Sequence, residues 1–156
     1  MRARTLLVMC AAALGLHALL GVWPPLGSID PLLVVAVIAT LPGRPGAALG
    51  AGLLTGILED AWAGGWFGQH ALTHATVAYV LSILAARVDL VQLRPAMLAL
   101  VVASVADWGM QLSLAVMFGK SLGDPPGATA WSIAIVGNTL LGLVVRRVAV
   151  GDDAMR

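Results

Sequence analysis

Three stretches of this chain run for more than twenty residues without a single Asp, Glu, Lys or Arg: Thr5 to Ile29, Ala61 to Ala86 and Pro125 to Val145. A membrane hydrocarbon core is about 30 Å thick and an α-helix rises about 1.5 Å per residue, so about 20 apolar residues suffice to cross it. Two further regions are nearly as long but interrupted. Pro31 to Gly43 and Pro45 to Leu58 are separated by Arg44 and closed by Glu59-Asp60, and Pro95 to Gly119 carries only Asp107. Composition agrees, with 60% hydrophobic and 11% charged residues. A soluble domain carries roughly 25% charged residues, so there is too little charge here to cover a water-facing surface.

Local signals divide the interrupted part. Asp30-Pro31 reads as an N-cap followed by proline in the first helical position. Pro42-Gly43-Arg44-Pro45 ends one helix and starts the next, while Gly64, Gly65 and Gly68 separate the following pair. The expected architecture is an all-α polytopic membrane protein, a single domain over 1–156, with six spans at about 5–22, 30–42, 45–63, 68–86, 95–118 and 128–146. The second of these is short. The amino-terminal run has two arginines but no small-x-small cleavage site, so it reads as an anchor and not as a signal peptide.

Lysine and arginine fix the expected orientation, because they concentrate in cytoplasmic loops. Six spans with both termini inside place Arg2, Arg4, Arg44, Arg87, Arg94, Arg146, Arg147 and Arg156 in the cytoplasm and leave Lys120 outside. No basic tract of the kind that binds nucleic acid is present. The single cysteine, Cys10, excludes an intramolecular disulfide.

Carboxylates within spans cost roughly 2.5–3.5 kcal/mol to insert at the bilayer centre, so each needs a reason. Glu59 and Asp60 lie near the outer end of the third helix. Two readings stand: both snorkel to the interface, or Asp60 faces the bundle or a partner and is hydrogen-bonded there. Asp107 sits near the middle of its helix, where burial is expected, with Gln111 and Asn138 as candidate partners. Gly52, Gly56, Asp60, Gly64 and Gly68 recur at steps of four, a small-residue stripe on which a second helix can approach closely. That helix belongs either to a partner or to this chain. His70 and His74 share a helix face, but no third ligand is placed beside them, so no metal or other cofactor is expected. There is no nucleophile motif, Walker sequence or dinucleotide fingerprint, and nothing reads as an enzyme.

The run GAGLLTGILEDAWAGGWFGQHALTHATVAYVLSILAAR resembles the central segment of the bacterial rod shape-determining MreD family. There a glycine-rich GxxxGLLxD helix precedes xxxGxxxGxxAL, matched here by Gly52, Gly56, Asp60, Gly64, Gly68, Ala71 and Leu72. SIDPLLVVAVIATLPGRPG is similar to the second helix of that family, with Asp30 at the aspartate, and VGNTLLGLVVRRV to its last, with Asn138 before Arg146-Arg147. Glu59, His70 and His74 depart from the pattern. The resemblance implies a fold similar to the substrate-binding subunits of energy-coupling-factor transporters. It also implies a non-enzymatic scaffold of the cell-elongation machinery in the inner membrane. The implied partners are MreC, RodA with its penicillin-binding transpeptidase and, indirectly, MreB. The alternative is a vitamin-transporter subunit whose site is lined by Glu59, Asp60, Trp62, Trp66, His70 and His74.

Overall fold

A computed structural model describes residues 3–63, 66–90, 92–119 and 128–154. All regular structure among them is helical: α1 (Ala3–Leu20), a 3₁₀ turn (Leu26–Ser28), α2 (Pro31–Ile38), α3 (Pro45–Ala63), α4 (Gln69–Ala85), α5 (Leu93–Met117) and α6 (Ala128–Ala154). Three helical segments, Ala3–Leu20, Leu93–Met117 and Thr129–Arg147, are long and apolar enough to cross a membrane.

The centre of the bundle is α2. All eight of its residues are buried, and it touches α1, α3, α4, α5 and α6. Its start is the cap anticipated from Asp30-Pro31: the Asp30 side chain accepts the Leu33 N–H at 2.8 Å, and Pro31 opens the helix. Its end comes earlier than the expected 42. The N–H groups of Thr40 and Leu41 bond back three residues, to Val37 and Ile38, which tightens the chain into turns. Gly43 then adopts φ +62° against the backbone of Ala85 and Ala86, a left-handed conformation that glycine takes without penalty. Eight residues reach only about 12 Å, so the 3₁₀ turn and the 39–43 turns make up the rest of this passage through the bundle.

The outside of the bundle is apolar, and its interior holds polar side chains beside an apolar core around α2. Leu7 and Val8 on α1, Leu98 and Val102 on α5, and Leu140 and Val144 on α6 are all exposed. Thr55, Thr73, His74 and Ser82 are fully buried. A surface of that kind suits lipid, which solvates leucine and valine as well as a protein core does.

Successive helices run antiparallel, which gives the bundle two chemically distinct ends. Arg4 at the start of α1, Arg44 between α2 and α3, and Arg87 and Arg94 between α4 and α5 gather at one end. At the other lie the 3₁₀ turn, the end of α3 and the starts of α4 and α6. Trp66 and Phe118 meet there edge to face at 5.0 Å.

Candidate functional site: a polar cavity at the end away from the arginines

The α3–α4 hairpin builds one wall of the site, and the glycine stripe explains how. A Cβ on Gly52 would lie 2.5 Å from the His74 carbonyl oxygen and 2.7 Å from the Ala75 Cα, and one on Gly56 would strike the backbone of His70 and Ala71. Only glycine lets the two helices come this close. The stripe considered above as a partner interface is therefore closed by this chain's own α4 at Gly52 and Gly56. Gly68 lies beyond it, at φ +102°, and begins α4. Gly64 falls outside the described residues.

Asp60 fastens the same hairpin. Its carboxylate accepts the backbone N–H groups of Gly68 (2.8 Å), His70 (2.9 Å) and Ala71 (3.1 Å), and contacts His70 Nδ1 at 2.9 Å. The first N–H groups of a helix have no intrahelical acceptor and carry its positive dipole end, so a carboxylate is the natural partner. Asp60 is buried. Of the two readings of this residue, the hydrogen-bonded one holds, and the bond is to α4 of the same chain.

Glu59 is buried as well, so it does not snorkel. Its Oε1 lies 3.4 Å from Nε2 of His17 on α1, while its Oε2 has no hydrogen-bond partner. Asp107 on α5 is 5% exposed, and its Oδ2 accepts from Gln111 at 2.6 Å. Gln111 is thus the partner of Asp107. Asn138 is not; its Oδ1 accepts the Asp30 backbone N–H at 2.8 Å and its amide donates to Ser104 Oγ at 3.1 Å.

Asp30 and His74 join these pieces. His74 is fully buried on α4. Its Nε2 lies 3.1 Å from Asp30 Oδ2 and 3.8 Å from Asp107 Oδ1, and its Nδ1 lies 3.3 Å from Thr55 Oγ1. His70 and His74 therefore do not act as a pair: their rings stand 6.0 Å apart at 74° and turn to different carboxylates. Among the described residues, two sets of side chains bring their potential metal-binding atoms within 4.8 Å of one another, His17 with Asp30 and Glu59, and Asp30 with His74 and Asp107. His70 belongs to neither set, and His74 is joined in the second by carboxylates from outside its own helix.

Several of these groups, but neither Asp60 nor His74, line a cavity of about 440 Å³. His17, Asp30, Glu59, His70 and Asp107 supply its charge and hydrogen-bonding capacity, and Trp108 with Trp131 its aromatic wall. Of the six residues expected around a transporter site, only Glu59 and His70 line it; Trp62 and Trp66 are exposed instead. Sequence reasoning passed over His17, Thr55 and Trp108, and read Asp30 as a cap and as the aspartate of the resembled second helix, with no part in a binding site. A lone histidine in an otherwise apolar span was the available signal for His17.

Chemically, the arrangement of carboxylates and imidazoles can bind a cation or a polar solute. The two serine hydroxyls on its wall, Ser28 and Ser104, donate to the backbone carbonyls of Pro25 and Leu100, each at 3.0 Å. Comparison of the chain with known protein families, with curated proteins and with solved structures gave no match.

Proposed function

We propose that this protein is a six-span inner-membrane scaffold of the bacterial cell-elongation machinery, of the MreD type, with both termini in the cytoplasm. One observation carries the reading. The three separated segments that resemble that family meet around one site. Asp60 of the glycine-rich segment caps α4, and Asp30 of the second segment is bonded through its backbone to Asn138 of the last. Residues 108 positions apart make that bond, and each does a job that its residue type explains. The end of the bundle that gathers the arginines supports the cytoplasmic assignment.

On this reading the hairpin residues Gly52, Gly56 and Asp60 keep the scaffold in shape, and the docking of MreC, and through it of RodA, its transpeptidase and MreB, uses the apolar outer faces. The test is co-purification of the full chain with the MreC of the same genome from detergent-solubilised membranes. Retention of MreC, and of RodA with it, is the expected result. A chain that inserts and accumulates but retains neither would refute the scaffold.

The cavity favours a second reading, a solute-binding membrane subunit. In that case the chain would co-purify with an ATPase module instead, and a small polar molecule would be recovered from it.

A further inference from the structure

We propose that Asp30, His74 and Asp107 form a binding site for a divalent first-row metal ion of the zinc type, tying α2, α4 and α5 together at the inner wall of the cavity. The proposal stands apart from the scaffold reading, since it concerns what the purified chain binds.

The argument begins with Thr55. Its hydroxyl has a single proton, and the Gly52 carbonyl oxygen accepts it at 3.1 Å. Thr55 Oγ1 is then the acceptor for His74 Nδ1–H at 3.3 Å. The other ring nitrogen, Nε2, then faces two carboxylate oxygens in a fully buried position and can carry either a proton or a metal ion. Three electron-rich atoms turned toward one point need a positive species between them.

Distances favour a metal ion over a proton. A tetrahedral zinc ion with nitrogen and oxygen ligands at about 2.0–2.1 Å holds neighbouring ligand atoms about 3.3–3.4 Å apart. The observed separations of 3.1 Å and 3.8 Å from Nε2 straddle that value. A proton can serve the nearer oxygen only, because 3.8 Å is beyond a hydrogen bond. Asp107 Oδ1 is accordingly left without a partner in a residue that is 95% buried, since 5% is exposed.

The surroundings of the three side chains are those of metal ligands. Histidines that bind metals characteristically give their other ring N–H to an oxygen, and ligating carboxylates are themselves hydrogen-bonded. Here Thr55 holds His74, Gln111 holds Asp107 and the Leu33 N–H holds Asp30. Each ligand is thus aimed by a second residue. Asp30 and Asp107 also line the cavity, so a fourth ligand, water or a solute, can reach the ion from there. One imidazole with two carboxylates is a donor set suited to zinc, and also to manganese or iron.

The experiment uses the full chain, purified in lipid nanodiscs, stripped with a chelator and titrated with zinc chloride. Bound metal is read by elemental analysis after desalting, and thermal unfolding is followed in parallel. We expect about one zinc per chain and a rise in Tm with zinc. Cobalt should give the visible absorption of a four-coordinate site. His74→Ala and Asp107→Asn should each lower zinc affinity by at least about 100-fold. Thr55→Val leaves all three ligands in place and should lower it by about 10- to 100-fold. His17→Ala, which alters only the neighbouring set, should retain wild-type stoichiometry. Three results would overturn the proposal: a folded wild-type chain with no zinc above background, undiminished binding by folded His74→Ala or Asp107→Asn protein, or a loss confined to His17→Ala. Should the two ligand variants fail to fold, Thr55→Val and the zinc dependence of wild-type Tm still decide the matter.

Discussion

Replacing Gly52 or Gly56 by alanine adds one methyl group where the backbone of α4 already stands. At Gly52 the new carbon would lie 2.5 Å from the His74 carbonyl oxygen, whereas ordinary contact begins near 3.4 Å, so α4 must retreat by roughly 0.9 Å. At Gly56 the overlap is closer still, with His70 O and the Ala71 Cα. No rotamer change relieves either clash, because backbone atoms make it. Overpacking of a well-filled interior costs roughly 1–3 kcal/mol, and displacement of α4 also stretches the bonds from Asp60. An effect of about 2–3 kcal/mol per site follows, or about 30- to 150-fold in the folding equilibrium. Gly50→Ala on the same helix is the control, since nothing lies within 4 Å of its Cβ position. Alanine there should be neutral or slightly stabilising, by up to about 1 kcal/mol. Reversible unfolding in mixed micelles of increasing SDS fraction, followed by circular dichroism, measures all three. Identical midpoints for Gly52→Ala, Gly56→Ala and Gly50→Ala would refute the close approach of α3 and α4.

Asp60→Leu should strip the start of α4 of three acceptor contacts, and an unsatisfied buried donor costs about 1–3 kcal/mol; faster proteolysis between α3 and α4 in the folded, membrane-inserted variant checks this, and wild-type resistance would contradict the capping role. Cysteine at Ser28, beside the cavity, should react with an impermeant thiol reagent applied to intact cells, and cysteine at Asp89, near the arginine end, should not. The opposite labelling pattern would invert the proposed orientation.

Much of the helical layout was legible in the sequence, because long uncharged runs, proline and glycine act locally. The α2 cap at Asp30-Pro31 and the break at Pro42 to Pro45 depend on neighbours a few residues away. The site was legible only in part. Spacing put Gly52 and Gly56 on one face, but it could not say which helix would lie against them; the answer, α4, depends on the turn that follows. Burial of Asp107 beside Gln111 came from an i, i+4 relation. The convergence of His17, Asp30, Glu59 and His74 did not, since it brings together four helices and separations of up to 57 positions, from 17 to 74. Periodicity carries no information about such meetings.

The burial of α2 has a consequence for how the protein is made. This helix leaves the ribosome before α3, α4, α5 and α6, four of the five helices that wrap it. None of its sides faces lipid in the finished bundle, and at eight residues it cannot span the bilayer as an independent anchor. During synthesis it must wait beside α1, with the carboxylate and backbone of Asp30 still lacking His74 and Asn138. The enclosure of α2 is therefore completed only when α6 arrives, and a chain stopped before α6 leaves part of its most buried segment uncovered.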